Sequence, residues 1–162
     1  GKSLYQILDS VFKRQKKTAC FGINWPIFGS SNLVEDPEDG VINAFTHCAR
    51  DEFEWNQLVK SCVIPSKIVG WVNPHLPLQT FGYKKINLDG KKIVQPRNEL
   101  PKKKKIRLYH YFVKNKKHFE EKVNKGMADR NAKRSMDEFY YYDKNDVINY
   151  KAISVRDYIL KK

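Results

Sequence analysis

The chain has 162 residues, of which 41% are hydrophobic and 13% aromatic, and it carries a formal net charge of +13. Its length and apolar content suit one packed domain over residues 1–162, and its charge favours polyanionic partners: nucleic acid, phosphate-bearing small molecules or an anionic membrane surface. The 3 cysteines include no C-x-x-C pair, which argues against a disulfide framework or zinc ribbon, and no stretch has the ~20 apolar residues of a membrane span.

The first half of the chain predicts helix and strand in alternation. Apolar residues recur at helical spacing over residues 4–14, behind a capping box formed by Ser3 and Gln6. Residues 18–25 are largely apolar and stop at Pro26, as a buried strand would. The next predicted elements are a short helix carrying His47 and Cys48, followed by strands at residues 58–64 and 68–72.

The second half predicts a hairpin, one more strand and a series of helices. The hairpin covers residues 83–94, turning at Asp89-Gly90, and an exposed loop with the lysine run 102–105 follows it. Helices are predicted from residue 116 to 125, between Asn115 and Gly126, from a second capping box at Ser135 and Glu138, and at residues 154–160.

A single histidine marks the strand predicted at Ile106–Phe112. Its alternation places Ile106, Leu108, His110 and Phe112 on one face, and the arginine and tyrosines between them on the other. A histidine on an apolar face is commonly a hydrogen-bonded core residue, and it is also a candidate ligand beside a basic turn. The elements together predict an α/β chain, α+β in this fragment, with a mixed sheet and flanking helices.

Two segments carry a family resemblance. One is the W-x-x-F-G-S-S loop at residues 25–31, and the other is the H-Y-F-x-K-N run at residues 110–115. Further matching positions are Lys122, Lys125, Gly126, Asp129, Lys133, Arg134, Asp137, Glu138, Phe139, Asp143, Lys144 and Asn145. Over most of residues 1–146 the chain resembles bacterial family 92 and related family 2-like glycosyltransferases, which have the GT-A fold.

The resemblance implies a metal-dependent enzyme of which this chain is the C-terminal part. In such enzymes an Asp-x-Asp motif in the N-terminal half holds the metal against the diphosphate of a nucleotide-sugar. This chain has no matching motif, so we expect a fragment that lacks the nucleotide-binding half and is inactive alone. The implied cofactor is Mn²⁺ or Mg²⁺, with His110 completing its ligand shell.

The resemblance also implies roles for other residues. An acceptor-side wall would be formed by Trp25, Phe28, Gly29, Ser30 and Ser31. A diphosphate would be bound by Lys114, Lys125, Arg130 and Arg134, for which a solvated basic face is the alternative. Candidates for the general base are Asp36, Glu38, Asp51 and Glu52. We prefer Asp51 and Glu52 because their position after the acceptor loop is similar to that of the base motif in related folds.

The expected function is transfer of a hexose from a UDP-sugar to a glycan or lipid-linked acceptor in surface polysaccharide synthesis. The expected location is the cytoplasm, with peripheral contact to the inner face of the membrane. The alternative is a basic nucleic-acid-binding module without catalysis, in which Tyr109 or Tyr111 stacks on bases and the lysine run contacts the backbone.

Overall fold

The computed structural model describes residues 3–38, 40–100, 106–127 and 131–160. The lysine run at 102–105 and the candidate Arg130 lie outside the described residues. The described residues form small mixed sheets with flanking helices, as the sequence predicts. The chain divides into two compact units: unit 1 is Gly1–Trp25 with Glu54–Leu108, and unit 2 is Pro26–Phe53 with Tyr109–Lys162. The prediction of a single domain stays a prediction.

Most of the elements lie at or near their predicted positions. The helices of the described chain are α1 Leu4–Arg14, α2 Gly40–Ala44, α3 Lys116–Lys125, α4 Met136–Tyr142 and α5 Tyr150–Leu160. The strands are β1 Thr18–Asn24, β2 His47–Cys48, β3 Val59–Val63, β4 Ile68–Asn73, β5 Leu76–Gln79, β6 Lys84–Ile86 and β7 Val147–Ile148. Among the described residues, no helix combines the length and apolarity that a membrane crossing needs.

Unit 1 is built around β1, all of whose residues are buried. It pairs with β3 in the antiparallel sense and with β6 in the parallel sense. Helix α1 begins with the predicted capping box, in which Ser3 and Gln6 each accept a hydrogen bond from the backbone of the other. Its partly buried apolar side chains pack on Phe21 and Ile23 of β1, which makes the core of this unit.

The remaining strands of unit 1 form hairpins. Strands β4 and β5 pair in the antiparallel sense. The hairpin predicted around Asp89-Gly90 is present as a turn in which Gly90 has φ +80° and Asn87 Oδ1 accepts backbone hydrogen bonds from Asp89 and Lys91. Beyond the turn, pairing is reduced to a bridge between Ile86 and Lys92, so the second arm is shorter than predicted.

The described residues of unit 2 include two apolar clusters. In one, Phe119 of α3 and Phe139 of α4 pack with Val113, and in the other Phe28 packs with Ala152 of α5. Helix α3 begins and ends as predicted: Asn115 Oδ1 accepts the hydrogen bond from His118 N–H at 2.8 Å, and Gly126 follows with φ +74°.

The capping box predicted at the start of α4 is wrong, although the helix begins there. Ser135 makes no capping hydrogen bond with its side chain. The Glu138 carboxylate accepts a hydrogen bond from Arg134 Nη1 at 2.7 Å. Because this carboxylate pairs with the arginine four residues earlier, it is not directed back to the Ser135 backbone as a capping box requires.

The prediction that His47 and Cys48 lie on a short helix is also wrong. Helix α2 ends at Ala44, and the two residues form β2, which pairs antiparallel with β7. The backbone N–H groups of Thr46 and His47 donate to Ser31 Oγ at 3.0 and 3.1 Å. These two N–H groups thus donate to a side-chain oxygen and not to backbone carbonyl oxygens of a continuing helix.

The strand predicted at Ile106–Phe112 is not a regular strand. In unit 2 it is represented by one parallel bridge between Ile27 and His110. Pro26 accepts a hydrogen bond from His110 N–H through its carbonyl oxygen but has no N–H to donate, which interrupts a ladder at that position. The predicted alternation is retained over residues 109–112, because Tyr109 and Tyr111 both pack against Phe28 while the ring centroids of His110 and Phe112 lie 5.8 Å apart.

The packing of β1 can be tested by a substitution of Gly22. A Cβ at this position would run into Ile93 Cδ1 and would lie 3.3 Å from Val59 Cβ, and both neighbours are buried. Gly22→Ala should therefore lower the free energy of unfolding by about 1–3 kcal/mol, the usual cost of overpacking a core. Urea denaturation measures this change.

Gly70→Ala is the matched control on another strand of unit 1. A Cβ there would meet Leu78 Cδ1 at 3.7 Å, an ordinary contact distance. This variant should differ from the parent chain by less than about 0.5 kcal/mol. Equal unfolding free energies for the two variants would contradict the close packing around Gly22.

Candidate functional site

The centre of the candidate site is the Ser30 loop, defined as residues 28–31 in unit 2. The buried Ser30 donates twice to Asp143: its N–H lies 2.5 Å from Oδ1 and its hydroxyl 3.0 Å from Oδ2. Ser31 N–H donates to Asn145 Oδ1 at 2.7 Å, and Asn145 Nδ2 donates to Asp143 Oδ1 at 2.9 Å. The loop backbone is thus held by side chains more than a hundred positions later in the chain.

Gly29 is required by this close approach. A Cβ at Gly29 would lie 2.5 Å from the carbonyl oxygen of Lys144, a backbone atom that cannot move aside as a side chain can. Gly29 N–H also donates to His47 O at 3.1 Å. Its small size therefore serves packing between two backbone segments of unit 2, and this adds a structural role to the acceptor-side role predicted for it.

The histidine segment meets the same loop. Phe28 N–H donates to His110 O at 3.0 Å, and His110 N–H donates to Pro26 O at 3.0 Å. Phe28 also forms an antiparallel bridge with Cys48 of β2. Hence the structure brings together the two segments that carry the resemblance, around residues 28–31 and 110, and the further matching positions 143–145.

Trp25 and Phe28 are interior residues in this conformation. Trp25, in unit 1, is 3% exposed, and its Nε1 donates to Trp55 O at 3.1 Å. Phe28, in unit 2, is fully buried, and its ring centroid lies 4.7 Å from that of Tyr111. Neither ring presents an open face to a sugar, so their predicted stacking role would require rearrangement and stays a prediction.

His110 is the only predicted metal ligand in the chain. The described residues include no group of three or more His, Cys, Asp or Glu side chains that could hold a metal ion. An imidazole is a suitable ligand for Mn²⁺, but one ligand does not make a site. The described residues therefore do not by themselves fit a bound metal, and the predicted cofactor depends on ligands from outside them.

A second feature of unit 2 is a cation cluster, defined as Lys114, Lys122 and Arg134, in which Lys122 and Arg134 lie beside the Phe112 ring. Lys122 Nζ donates to Phe112 O at 2.7 Å and lies 4.2 Å from the centroid of the Phe112 ring. Arg134 Cζ lies 5.4 Å from the same centroid. One aromatic ring thus has two cations within cation–π distance.

Burial and like charge act together on Lys122. Burial lowers the pKa of Lys122 to about 8, with further lowering by Arg134 and Lys114 and an opposing effect of Glu138. Burial, followed by Lys114, also lowers the pKa of His118 on the same helix. The local potential is therefore positive, and Lys122 loses part of the solvation that an ammonium group normally has.

The four cations predicted to bind a diphosphate have different positions. Lys114 and Arg134 belong to the cluster, Lys125 is exposed in the last turn of α3, and Arg130 lies outside the described residues. Lys122, which is central to the cluster, was not assigned to the site. Its position three residues after the core residue Phe119 places it on the inner face of α3, a signal that the sequence contains.

The candidate bases lie in two turns. Asp51 and Glu52 are in the turn that Phe53 N–H closes on Arg50 O at 3.1 Å, with Asp51 half-buried and Glu52 exposed. Asp36 accepts a hydrogen bond from Asn115 Nδ2 at 2.8 Å, which gives it a role in fixing the start of α3. The catalytic roles of these carboxylates stay predictions, as does that of the exposed Glu38.

The dependence of the Ser30 loop on Asp143 can be measured. Asp143→Ala removes the acceptor of two donors of Ser30, a residue that is only 2% exposed. Leaving buried donors unsatisfied should cost about 1–3 kcal/mol of unfolding free energy. Asp146→Ala is the control, because it removes one exposed hydrogen bond from Arg50 N–H and should cost less than about 1 kcal/mol. Equal costs in urea denaturation would contradict the role of Asp143.

The buried charge of Lys122 predicts a pH dependence of stability. The pKa of Lys122 falls from an ordinary 10.5 to about 8 in the folded chain, so between these pH values the unfolded state binds more protons. Stability should consequently rise with pH over this interval. Lys122→Met should remove this contribution, which is on the order of 1 kcal/mol after solvent screening of a half-exposed group.

Urea denaturation at pH 7 and pH 10 measures this contribution as the difference in free energy of unfolding between the parent chain and Lys122→Met. The difference should favour the parent chain more at pH 10 than at pH 7. Lys125→Met, which removes an exposed lysine of the same helix, should show no such change. A difference between the parent chain and Lys122→Met that is independent of pH would refute the buried-charge account.

Known proteins do not identify this site. Comparison of the chain with protein-family models, with curated proteins and with solved structures found no match. The assignment of function therefore depends on the residues and contacts described above.

Proposed function

We propose that the chain is the C-terminal part of a GT-A glycosyltransferase that transfers a hexose from a UDP-sugar to a glycan acceptor in surface polysaccharide synthesis. The observation that supports this proposal is the meeting of the Ser30 loop, His110 and residues 143–145 in unit 2. These stretches carry the resemblance, and they are far apart in the sequence. Direct hydrogen bonds among them are expected if they build one site.

The proposal gives each part of this arrangement a role. The Ser30 loop, held by Asp143, would form a fixed acceptor-side surface. Asp51 or Glu52 would take the proton of the acceptor hydroxyl as it attacks the anomeric carbon. The leaving diphosphate would be met by Lys114 and Arg134, and by Lys125 and Arg130 beyond them.

His110 would serve as a ligand of the Mn²⁺ or Mg²⁺ ion. The remaining ligands would come from the Asp-x-Asp motif of the other half of the enzyme. This fragment alone would contain only part of the ligand shell of the metal, and we expect it to be inactive. The enzyme would act in the cytoplasm, at the inner face of the membrane when its acceptor is lipid-linked.

The alternative, a nucleic-acid-binding module, has weaker support. Its stacking residues were predicted to be Tyr109 and Tyr111, and both rings pack against Phe28, with centroid distances of 5.1 and 4.7 Å. Burial raises the pKa of Tyr111 to about 12, as expected for a hydroxyl removed from water. Base stacking would require these rings to leave their cluster.

The proposed role of His110 predicts a loss of metal-dependent nucleotide binding. Isothermal titration of UDP in the presence of Mn²⁺ into the full-length protein that contains these residues should give binding that His110→Ala weakens by at least about tenfold, since one metal ligand is lost. The matched control is His47→Ala, another histidine of unit 2, whose ring has Thr46 Oγ1 as a neighbour at 3.3 Å.

Transfer from a radiolabelled UDP-hexose should decrease in parallel with binding. The melting temperatures of both variants report whether the fold is retained. Equal affinity for UDP and Mn²⁺ in the parent protein and His110→Ala would remove His110 from the metal shell. Sugar transfer by the 162-residue chain alone would contradict the expectation that it is an inactive fragment.

A further inference from the structure

The ammonium group of Lys122 can bind a further acceptor besides the carbonyl oxygen of Phe112. Its ammonium group has three N–H donors, and one of them is directed to Phe112 O at 2.7 Å. The group lies over the rings of Phe112 and Phe119, at 4.2 and 5.4 Å from their centroids. An ammonium ion held between two rings and a carbonyl oxygen has a defined position, which a lysine on an open surface does not have.

The charged groups around Lys122 leave an excess of positive charge. Lys114 approaches from the segment before α3 and Arg134 from the segment before α4, while Glu138 of α4 supplies negative charge. The Glu138 carboxylate is paired with Arg134 at 2.7 Å and in a partly buried setting. Among the ion pairs of the described residues none involves Lys114 or Lys122, and an anion would relieve the repulsion between these cations.

The geometry suits a compact oxyanion. Arg134 presents a planar guanidinium beside Phe112, and Lys122 and Lys114 supply ammonium charges that can meet several oxygens of one group. Lys122 and Arg134 come from separate segments of unit 2 and meet at the Phe112 ring, and the charge of Lys114 acts on Lys122 from a third segment, so these cations do not form the extended strip that follows a nucleic-acid backbone. A terminal phosphate or a pyrophosphate has the matching size and charge.

We propose that Lys122, together with Lys114 and Arg134, forms an oxyanion site that binds pyrophosphate-type groups without a metal ion, and that Lys122 is its central donor. The site stands on the geometry of the cation cluster. Its use for the diphosphate of a UDP-sugar rests on the proposed function. If both hold, Lys122 is the residue that holds the leaving diphosphate while Lys125 lies at the periphery.

The test is titration calorimetry of inorganic pyrophosphate into the 162-residue chain in EDTA at pH 7, where Lys122 is largely charged. The parent chain should bind pyrophosphate, and Lys122→Met should bind it at least about tenfold more weakly, as expected for loss of a charged donor. Lys117→Met, at an exposed lysine of the same helix that pairs with Glu35 and has no proposed binding role, is the control and should stay within about twofold of the parent chain. Circular dichroism and melting temperature establish that both variants are folded.

A second titration with metal-free UDP separates the two sources of the group. Loss of affinity for both UDP and pyrophosphate in Lys122→Met supports a diphosphate of nucleotide origin, and loss for pyrophosphate alone supports a site for the free anion. Equal weakening by Lys122→Met and Lys117→Met, or no binding of pyrophosphate by the parent chain, would overturn the proposal. The two proposals can fail separately. If Lys122→Met weakens pyrophosphate binding but His110→Ala leaves the affinity for UDP and Mn²⁺ unchanged, the oxyanion site is upheld and the proposed function is rejected.

Discussion

The double hydrogen bond from Ser30 to the Asp143 carboxylate is the constraint on which the organisation of unit 2 depends. It joins residues 113 positions apart and satisfies both polar donors of a buried serine. Next to it, Gly29 leaves room for the backbone at Lys144, and Phe28 pairs with the segment of His110. A carboxylate in this position acts as a fixed acceptor in the structure, which explains why a loop rich in small residues can keep one conformation.

Positive charge has two different effects in this chain. Most of the excess that gives a net charge of +13 can stay solvated, where it costs little. Lys122 is different, because it is half-buried beside Arg134 and Lys114 and its pKa falls to about 8. Repulsion among these cations lowers the folding stability of the anion-free chain. Binding sites commonly show this pattern, in which groups that bind a ligand destabilise the protein when the ligand is absent.

The sequence predicted those features that depend on neighbouring residues. The start of α1 was predictable because Ser3 and Gln6 cap each other across three positions. The capping box of α4 failed because Glu138 has a competing partner in Arg134, and the strand at 106–112 failed because its partner segment contains a proline. The loop of the candidate site was recognisable as a turn, but its carboxylate partner is too distant for any local pattern to reveal. The expected function came from the resemblance more than from periodicity, and it stays a prediction.

Each unit is assembled from two separated stretches of the chain, and this has a consequence for synthesis. The ribosome adds roughly 5–20 residues per second, so Ser30 emerges roughly 6–20 seconds before Asp143, which lies 113 positions later. During that time residues 26–53, with the apolar side chains of Phe28 and Phe45, have no completed unit 2 in which to pack. The apolar side chains of residues 26–53 therefore lack their packing partners from residues 109–162 until the last third of this chain has been made.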